Sequence, residues 1–143
     1  MGWAGDHLYE FVIGHNRFSV PDPDFDTGPP VQREDLFTLA AALGALKSFT
    51  YLYDFGDGWE HRVTVEKILP PEPALTSPVC LGGANACPPE DVGGPPSHVD
   101  FLQAINDPAQ EEHEGMLEWC GGSLNPTDFR LDDINASLSQ IKL

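Results

Sequence analysis

Residues 51–61 constrain the fold of this chain more than any other segment, because two runs of strand-forming residues meet there at a tight turn. Aromatic side chains alternate with other residues over 49–55, and apolar and polar residues alternate again over 59–69. Both patterns are typical of half-buried strands. Asp57 and Gly58, which lie between them, form the dipeptide that most strongly favours a hairpin turn. The sequence therefore predicts an antiparallel hairpin.

The register of this hairpin depends on the length of its turn. A two-residue turn would pair Asp54 with His61 and Tyr53 with Arg62. A three-residue Gly-Asp-Gly turn would align the apolar faces but set Asp54 opposite Glu60, and like charges directly opposite are unfavourable. We expect the first register.

The remaining pattern indicates one α+β domain over residues 1–143. A further strand is predicted at 7–13, and two acidic residues then begin a helical pattern that reaches residue 46. More helices are predicted at 98–106, 108–119 and 131–143. Strands followed by helices favour a small antiparallel sheet with helices packed on one face.

The segment between the predicted strands and the later predicted helices, residues 70–97, is rich in proline and has little periodicity. A structureless segment of this length is uncommon unless it is functional or disordered. Its two cysteines and its Gly-Gly pairs favour an ordered loop that folds back on the protein.

Charge restricts the classes of partner. The net charge is −16, and no Lys or Arg lies between Lys67 and Arg130. Because nucleic-acid binding needs cationic side chains against phosphates, we expect no direct nucleic-acid binding, and no binding to an anionic membrane. No apolar run reaches the roughly 20 residues that span a bilayer. An odd number of cysteines and the lack of a secretory signal at the start favour the cytoplasm.

One candidate site is the polar group around the hairpin turn. A histidine beside a carboxylate can act as a general base, or such a group can bind a metal. In the structural alternative, Asp57 serves the turn, the acids face solvent and His61 fills a strand position. The four residues of this candidate site are Asp54, Asp57, Glu60 and His61.

A second candidate lies in residues 80–91, which we call the cysteine loop. Cys80 and Cys87 with His61 or His98 could form a mixed zinc site, and Glu90 and Asp91 are candidate catalytic acids. The cysteine spacing differs from that of a zinc knuckle, and the structural alternative is two small buried thiols that pack an ordered loop. The residues predict no cofactor, and zinc is the metal that the set would suit.

Several motifs together resemble one family. They are residues 53–61, the Cys-Pro-Pro-Glu-Asp run at 87–91 with the glycines at 93–94, and then 101–102, 107–108, 113–114, 128–129 and 134–135. This ordered set resembles the plasmid pRiA ORF-three-like family, whose members are often labelled transposon-resolvase-like or TnpR-like. The resemblance implies an α+β domain, a link to plasmids and mobile elements, and no established activity.

Two departures from the family pattern matter. Family domains usually begin with a further strand and helix, so their absence here would leave a sheet edge near Trp3, Leu8 and Phe11. An open edge beside apolar surface favours self-association, and we expect a symmetric dimer. Val92 stands where the family often has Cys, which weakens a thiol-rich metal site. The resolvase label also fits poorly, since neither an activated nucleophile nor a basic DNA surface is apparent.

These observations favour an acidic cytoplasmic module that binds a protein partner or regulates it, within a system associated with plasmids or mobile elements. The negative surface would attract the partner. The alternative is a metal-binding protein or a hydrolase-type enzyme that uses Asp54, His61 and the cysteine loop.

Overall fold

The computed structural model describes residues 2–22, 28–70 and 72–142. The chain divides into two compact units. The sheet unit comprises Ala4–Ile68 and Gly93–Pro96, and the helical unit comprises Met1–Trp3, Leu69–Val92 and Ser97–Leu143. A single domain over residues 1–143 stays a prediction.

Within the described residues, the sheet unit contains one five-stranded sheet in the order β3-β2-β1-β4-β5. Its strands are β1 (Tyr9–Ile13), β2 (Asn16–Ser19), β3 (Val31–Arg33), β4 (Ser48–Tyr53) and β5 (Trp59–Thr64). The predicted α+β class is confirmed. The sheet is mixed rather than antiparallel, because β3 runs parallel to β2 while the other neighbours are antiparallel. A parallel pair cannot be joined by a tight hairpin turn, so β2 and β3 require a longer connection.

Strand β1 lies in the middle of this sheet. Phe11 pairs with Phe18 of β2 on one side and with Tyr51 of β4 on the other. The open edge expected beside Phe11 is therefore wrong, because both edges of β1 already have partners.

One face of the sheet carries the core of this unit. Buried Ile13, Phe18 and Phe49 pack with Leu43, and partly buried Phe11 joins them. Leu43 belongs to α1 (Leu39–Leu43), so this short helix covers the core face. Aromatic and branched side chains supply most of this burial, as expected for a small core.

The helix predicted from residue 34 to residue 46 is broken into two parts. Glu34–Leu36 form a 3-10 turn, and Phe37 then adopts extended backbone angles. Thr38 begins α1 because its hydroxyl accepts a hydrogen bond from the amide of Ala41. An internal N-cap of this kind starts a new helix, which the apolar spacing alone does not show.

The hairpin of β4 and β5 is confirmed, but its predicted register is wrong. Tyr53 pairs with Trp59 and Tyr51 with His61, so five residues connect the strands instead of two. The side chain of Asp54 holds this longer loop, and the strands therefore separate before Asp54 can pair with His61.

The helical unit contains α2 (Gly94–Asn106), whose first three residues belong to the sheet unit, α3 (His113–Trp119) and α4 (Leu131–Leu138). Buried Phe101, Ala104 and Ile105 lie on one side of α2. The Trp119 ring packs edge-on against Phe101 with centroids 5.6 Å apart. The helix predicted to start at residue 108 begins later, at His113, because the residues after Asp107 first form turns. In these turns the carboxylate of Asp107 accepts a hydrogen bond from the amide of Ala109.

The cysteine loop is tied to the C-terminal part of its unit by side-chain and backbone contacts. Asn135 accepts a hydrogen bond from the amide of Cys80 at 2.8 Å and donates one to its carbonyl at 3.0 Å. The amide of Ala86 donates to the carbonyl of Pro126. A side chain at Gly83 would collide with the Phe129 ring.

None of the helices in the described part of the chain is long and apolar enough to cross a membrane.

Candidate functional site

Asp54 is a buried carboxylate at the end of β4, with only 8% of the residue exposed. Its backbone has a φ of 56°, which is uncommon for a residue other than glycine. Its Oδ1 accepts hydrogen bonds from the amides of Gly56 at 2.9 Å and Asp57 at 3.2 Å. The amide of Gly58 donates to its carbonyl oxygen at 2.6 Å. Asp54 therefore shapes the loop that it begins.

His7 is the histidine that faces this carboxylate. The amide of Asp54 donates to the carbonyl of Leu8 at 2.8 Å, which holds the segment before β1 beside the loop. The Nδ1 atom of His7 lies 3.5 Å from Oδ2 of Asp54. The His7 ring also packs edge-on against Tyr53, with centroids 5.9 Å apart.

His7 is not predicted as a site residue from the sequence, because its partner Asp54 is 47 positions away. The only signal that could have found it is the pairing of β1 with β4, which places the start of β1 beside the end of β4. Hydrophobic alternation predicts both strands but not which of them become neighbours.

His61 lies on β5 opposite Tyr51. Its Nδ1 is 3.2 Å from the carbonyl oxygen of Tyr51, and its ring lies 5.7 Å from the ring of Tyr51. The predicted strand pairing of His61 with Asp54 is therefore wrong, since Asp54 lies in the loop beyond the paired strands.

Asp57 and Glu60, the other two acidic candidates of the hairpin, make different contacts from those of Asp54. Asp57 accepts a hydrogen bond at its Oδ2 from the amide of Gly93, 3.0 Å away. A Cβ atom on Gly94 would collide with the carbonyl oxygen of Asp57, so this approach requires glycine. Glu60 is exposed on β5, opposite Leu52.

The cysteine candidates belong to the helical unit, where all three cysteines are free thiols. Cys87 lies against Gly2, and burial raises the pKa of its thiol, with the negative charge of Glu90 acting in the same direction. A raised pKa leaves less of the thiolate that binds metals. The sulfur of Cys80 lies 3.6 Å from the carbonyl of Gly82.

The predicted metal set takes His61 from one unit and both Cys80 and Cys87 from the other, and it stays a prediction. Glu90 and Asp91 also belong to the helical unit. Glu90 is partly buried and Asp91 is exposed with a φ of 57°.

The helical unit contains an acidic pocket, a cavity of about 510 Å³ that combines aromatic and carboxylate groups. Phe101 is buried in its wall, while Trp119 is 49% exposed. Four exposed carboxylates line it as well. The lining residues are Asp91, Val92, Ser97, Asp100, Phe101, Ala104, Glu111, Glu112, Gly115, Met116 and Trp119.

The sheet unit contains an apolar groove of about 300 Å³ beside α1. Phe37 and Leu39 line it and are 44% and 52% exposed. Glu34 is at the same groove, and its carboxylate accepts a hydrogen bond from the Tyr9 hydroxyl at 2.7 Å. This hydrogen bond, together with burial and the charge of Glu34, raises the pKa of Tyr9 to about 12.

Comparison with known proteins supports the family resemblance. The sequence model of the plasmid pRiA4b ORF-3-like protein family matches residues 1–133. The chain is 46% identical over 142 residues to the uncharacterized protein y4hQ of Sinorhizobium fredii (strain NBRC 101917 / NGR234), covering 99% of this chain and 69% of that relative. It is also similar to the crystal structure of MM3350, a protein of unknown function from Methanosarcina mazei Go1. That match has a TM-score of 0.73 and 31% identity, and covers 93% of this chain and 75% of the other.

Proposed function

The chain belongs to the plasmid pRiA4b ORF-3-like family, and we propose that it acts as an acidic module that binds a protein partner. The relatives named above are described as uncharacterized or of unknown function, so the proposal depends on the surface of this chain.

The observation that carries the proposal is the acidic pocket of the helical unit. The half-exposed Trp119 offers an aromatic face, and cations bind such faces. Asp100, Glu111 and Glu112 line the same pocket, and charge-assisted hydrogen bonds to carboxylates hold arginine or lysine firmly. The arrangement suits a basic side chain presented by a protein.

The charge distribution supports the same class of partner. The net charge is −16, and the sequence has no Lys or Arg from residue 68 to residue 129, the stretch that contains every residue lining the pocket. A surface of one sign speeds association with a partner of opposite sign and excludes partners of like charge. We therefore expect a basic segment rather than an acidic or neutral one.

A cytoplasmic location and a role in plasmid or mobile-element systems are parts of this proposal. The three free thiols support the first, since reducing compartments keep cysteines unpaired. The family name supports the second.

A peptide selection tests the proposal. Random peptides displayed on phage are selected against the purified chain, and the affinities of enriched peptides are measured by fluorescence anisotropy. We expect enrichment of peptides with arginine or lysine next to an apolar residue. Glu112→Gln and Trp119→Ala should each weaken binding by about tenfold, as loss of one central interface contact does.

The matched control is Glu114→Gln, which removes a nearby exposed charge that does not line the pocket. It should change the affinity less than twofold. If Glu114→Gln weakens binding as much as Glu112→Gln, diffuse charge rather than the pocket attracts the peptides. If no peptide is enriched, the module does not bind protein segments of this kind.

A further inference from the structure

We propose that His7 and Asp54 of the sheet unit ligate a divalent transition-metal ion, with zinc preferred. The proposal does not rest on protein binding by the helical unit. The two side chains are 47 positions apart in the sequence and meet in the fold.

The spacing of the two donor atoms fits one shared ion. Zinc binds histidine nitrogen and carboxylate oxygen at about 2.0–2.2 Å in tetrahedral geometry, which places two ligand atoms about 3.4 Å apart. The Nδ1 atom of His7 and Oδ2 of Asp54 are 3.5 Å apart. This distance is long for a direct hydrogen bond between them but suits two ligands of one metal.

The surrounding contacts fix both ligands before an ion binds. Two backbone amides, of Gly56 and Asp57, hold Oδ1 of Asp54, so Oδ2 is directed towards His7. Tyr53 packs against the His7 ring and limits its rotation. Partners of this kind orient metal ligands and strengthen metal binding in known sites.

Burial of the Asp54 carboxylate favours binding of a cation. The side chain of Asp54 is only 11% exposed, and a carboxylate removed from water is stabilised by a positive charge beside it. The side chain of His7 is 31% exposed, so water can reach the pair. With two protein ligands, a tetrahedral ion there would keep two coordination positions for water or for an oxygen of a substrate.

Zinc titration of the full chain, first stripped of metal with a chelator, tests this assignment. Isothermal calorimetry should show one zinc ion per chain. His7→Gln and Asp54→Asn should each weaken zinc binding by at least about tenfold. Cobalt in place of zinc should give an absorption spectrum without a thiolate charge-transfer band.

The matched controls are His61→Gln and His15→Gln, two other histidines of the same unit, which should leave the affinity unchanged. Asp54→Asn keeps an oxygen that can accept from Gly56 and Asp57, and thermal unfolding verifies its fold. If Asp54→Asn unfolds, His7→Gln remains decisive because His7 does not shape the loop. Absence of zinc binding in the wild type, or unchanged binding in His7→Gln, would overturn the proposal.

Discussion

Gly94 shows how closely two backbone segments approach in the sheet unit. Its φ of 78° is strained for other residues, and a Cβ atom there would collide with the carbonyl oxygen of Asp57. Gly58 also has a positive φ, 69°, but a Cβ atom there would meet nothing within 4 Å. A side chain at either position would strain the backbone, but a side chain at Gly94 would also collide with a neighbouring backbone atom.

Gly94→Ala should accordingly destabilise the protein more than Gly58→Ala. Both substitutions incur about 1–2 kcal/mol of left-handed strain, and the collision at Gly94 should add about 1–3 kcal/mol. Urea unfolding monitored by tryptophan fluorescence measures both free energies of unfolding. Equal losses would show that the backbone of Asp57 moves away at little cost.

Tyr9 should titrate well above an ordinary tyrosine. Its hydroxyl donates to Glu34, and this bond, burial and the charge of Glu34 raise its pKa to about 12. In an absorbance titration of the tyrosines, Glu34→Gln should move this transition down towards the ordinary value of about 10. The variant Tyr9→Phe identifies the transition by removing it. A wild-type protein without a tyrosine transition near 12 would contradict the assignment.

The same shift has a consequence for stability. A folded-state pKa above the unfolded value means that the folded state favours the protonated hydroxyl. The stabilisation by Tyr9 is fully present below about pH 10 and is lost as the pH rises towards 12. Urea unfolding across this window should therefore show a steeper loss of stability for the wild type than for Glu34→Gln.

At the scale of elements, the cysteine loop depends on α4. Asn135 of α4 binds both the amide and the carbonyl of Cys80. Asn135→Ala removes both hydrogen bonds, so amide exchange across residues 80–91 should accelerate by at least about tenfold, as a loss of about 1.4 kcal/mol would produce. Hydrogen exchange followed by mass spectrometry measures it.

Asn106→Ala is the matched control, because Asn106 also lies on a helix of this unit but donates to Leu102 of its own helix. It should leave exchange in residues 80–91 unchanged. If exchange there is already rapid in the wild type, the prediction of an ordered loop is wrong.

The sequence predicted the strands and helices better than it predicted which of them pair and in which register. Alternation over residues 49–55 and the Asp-Gly pair were enough for the hairpin, because both signals are local. The register was not predictable from turn propensity, since Asp54 uses its side chain to hold a five-residue loop. Likewise, the helix predicted from residue 34 to residue 46 is broken because the Thr38 side chain accepts a hydrogen bond from the amide of Ala41 and starts α1. His7 was missed because strand order, which brings it to Asp54, leaves no local signal.

At the scale of the whole molecule, charge predicts what the protein will not bind. With a net charge of −16, the chain repels the phosphates of DNA. In an anisotropy titration with a labelled 30-base-pair duplex at physiological salt, we expect no saturable binding at micromolar protein. Submicromolar affinity would contradict this expectation.

Self-association remains a prediction, and the structure suggests a new location for it. In the described sheet, β5 is a six-residue edge strand, and Val63 on it is 36% exposed. Edge strands of this length can pair with a second copy in a symmetric dimer. Sedimentation equilibrium should show a dimer that Val63→Lys weakens. A monomer of 15.6 kDa over a hundredfold concentration range would exclude it.

The strand order also determines when the sheet can form. Strands β1 and β2 are neighbours in sequence, as are β4 and β5, so each pair closes only a short loop. The central pairing joins residues 40 positions apart, such as Phe11 and Tyr51. Closing a long loop slows folding, because its entropy is lost before the contacts form. We therefore expect the two hairpins to form early and their union at β1 and β4 to limit the folding rate of the sheet unit.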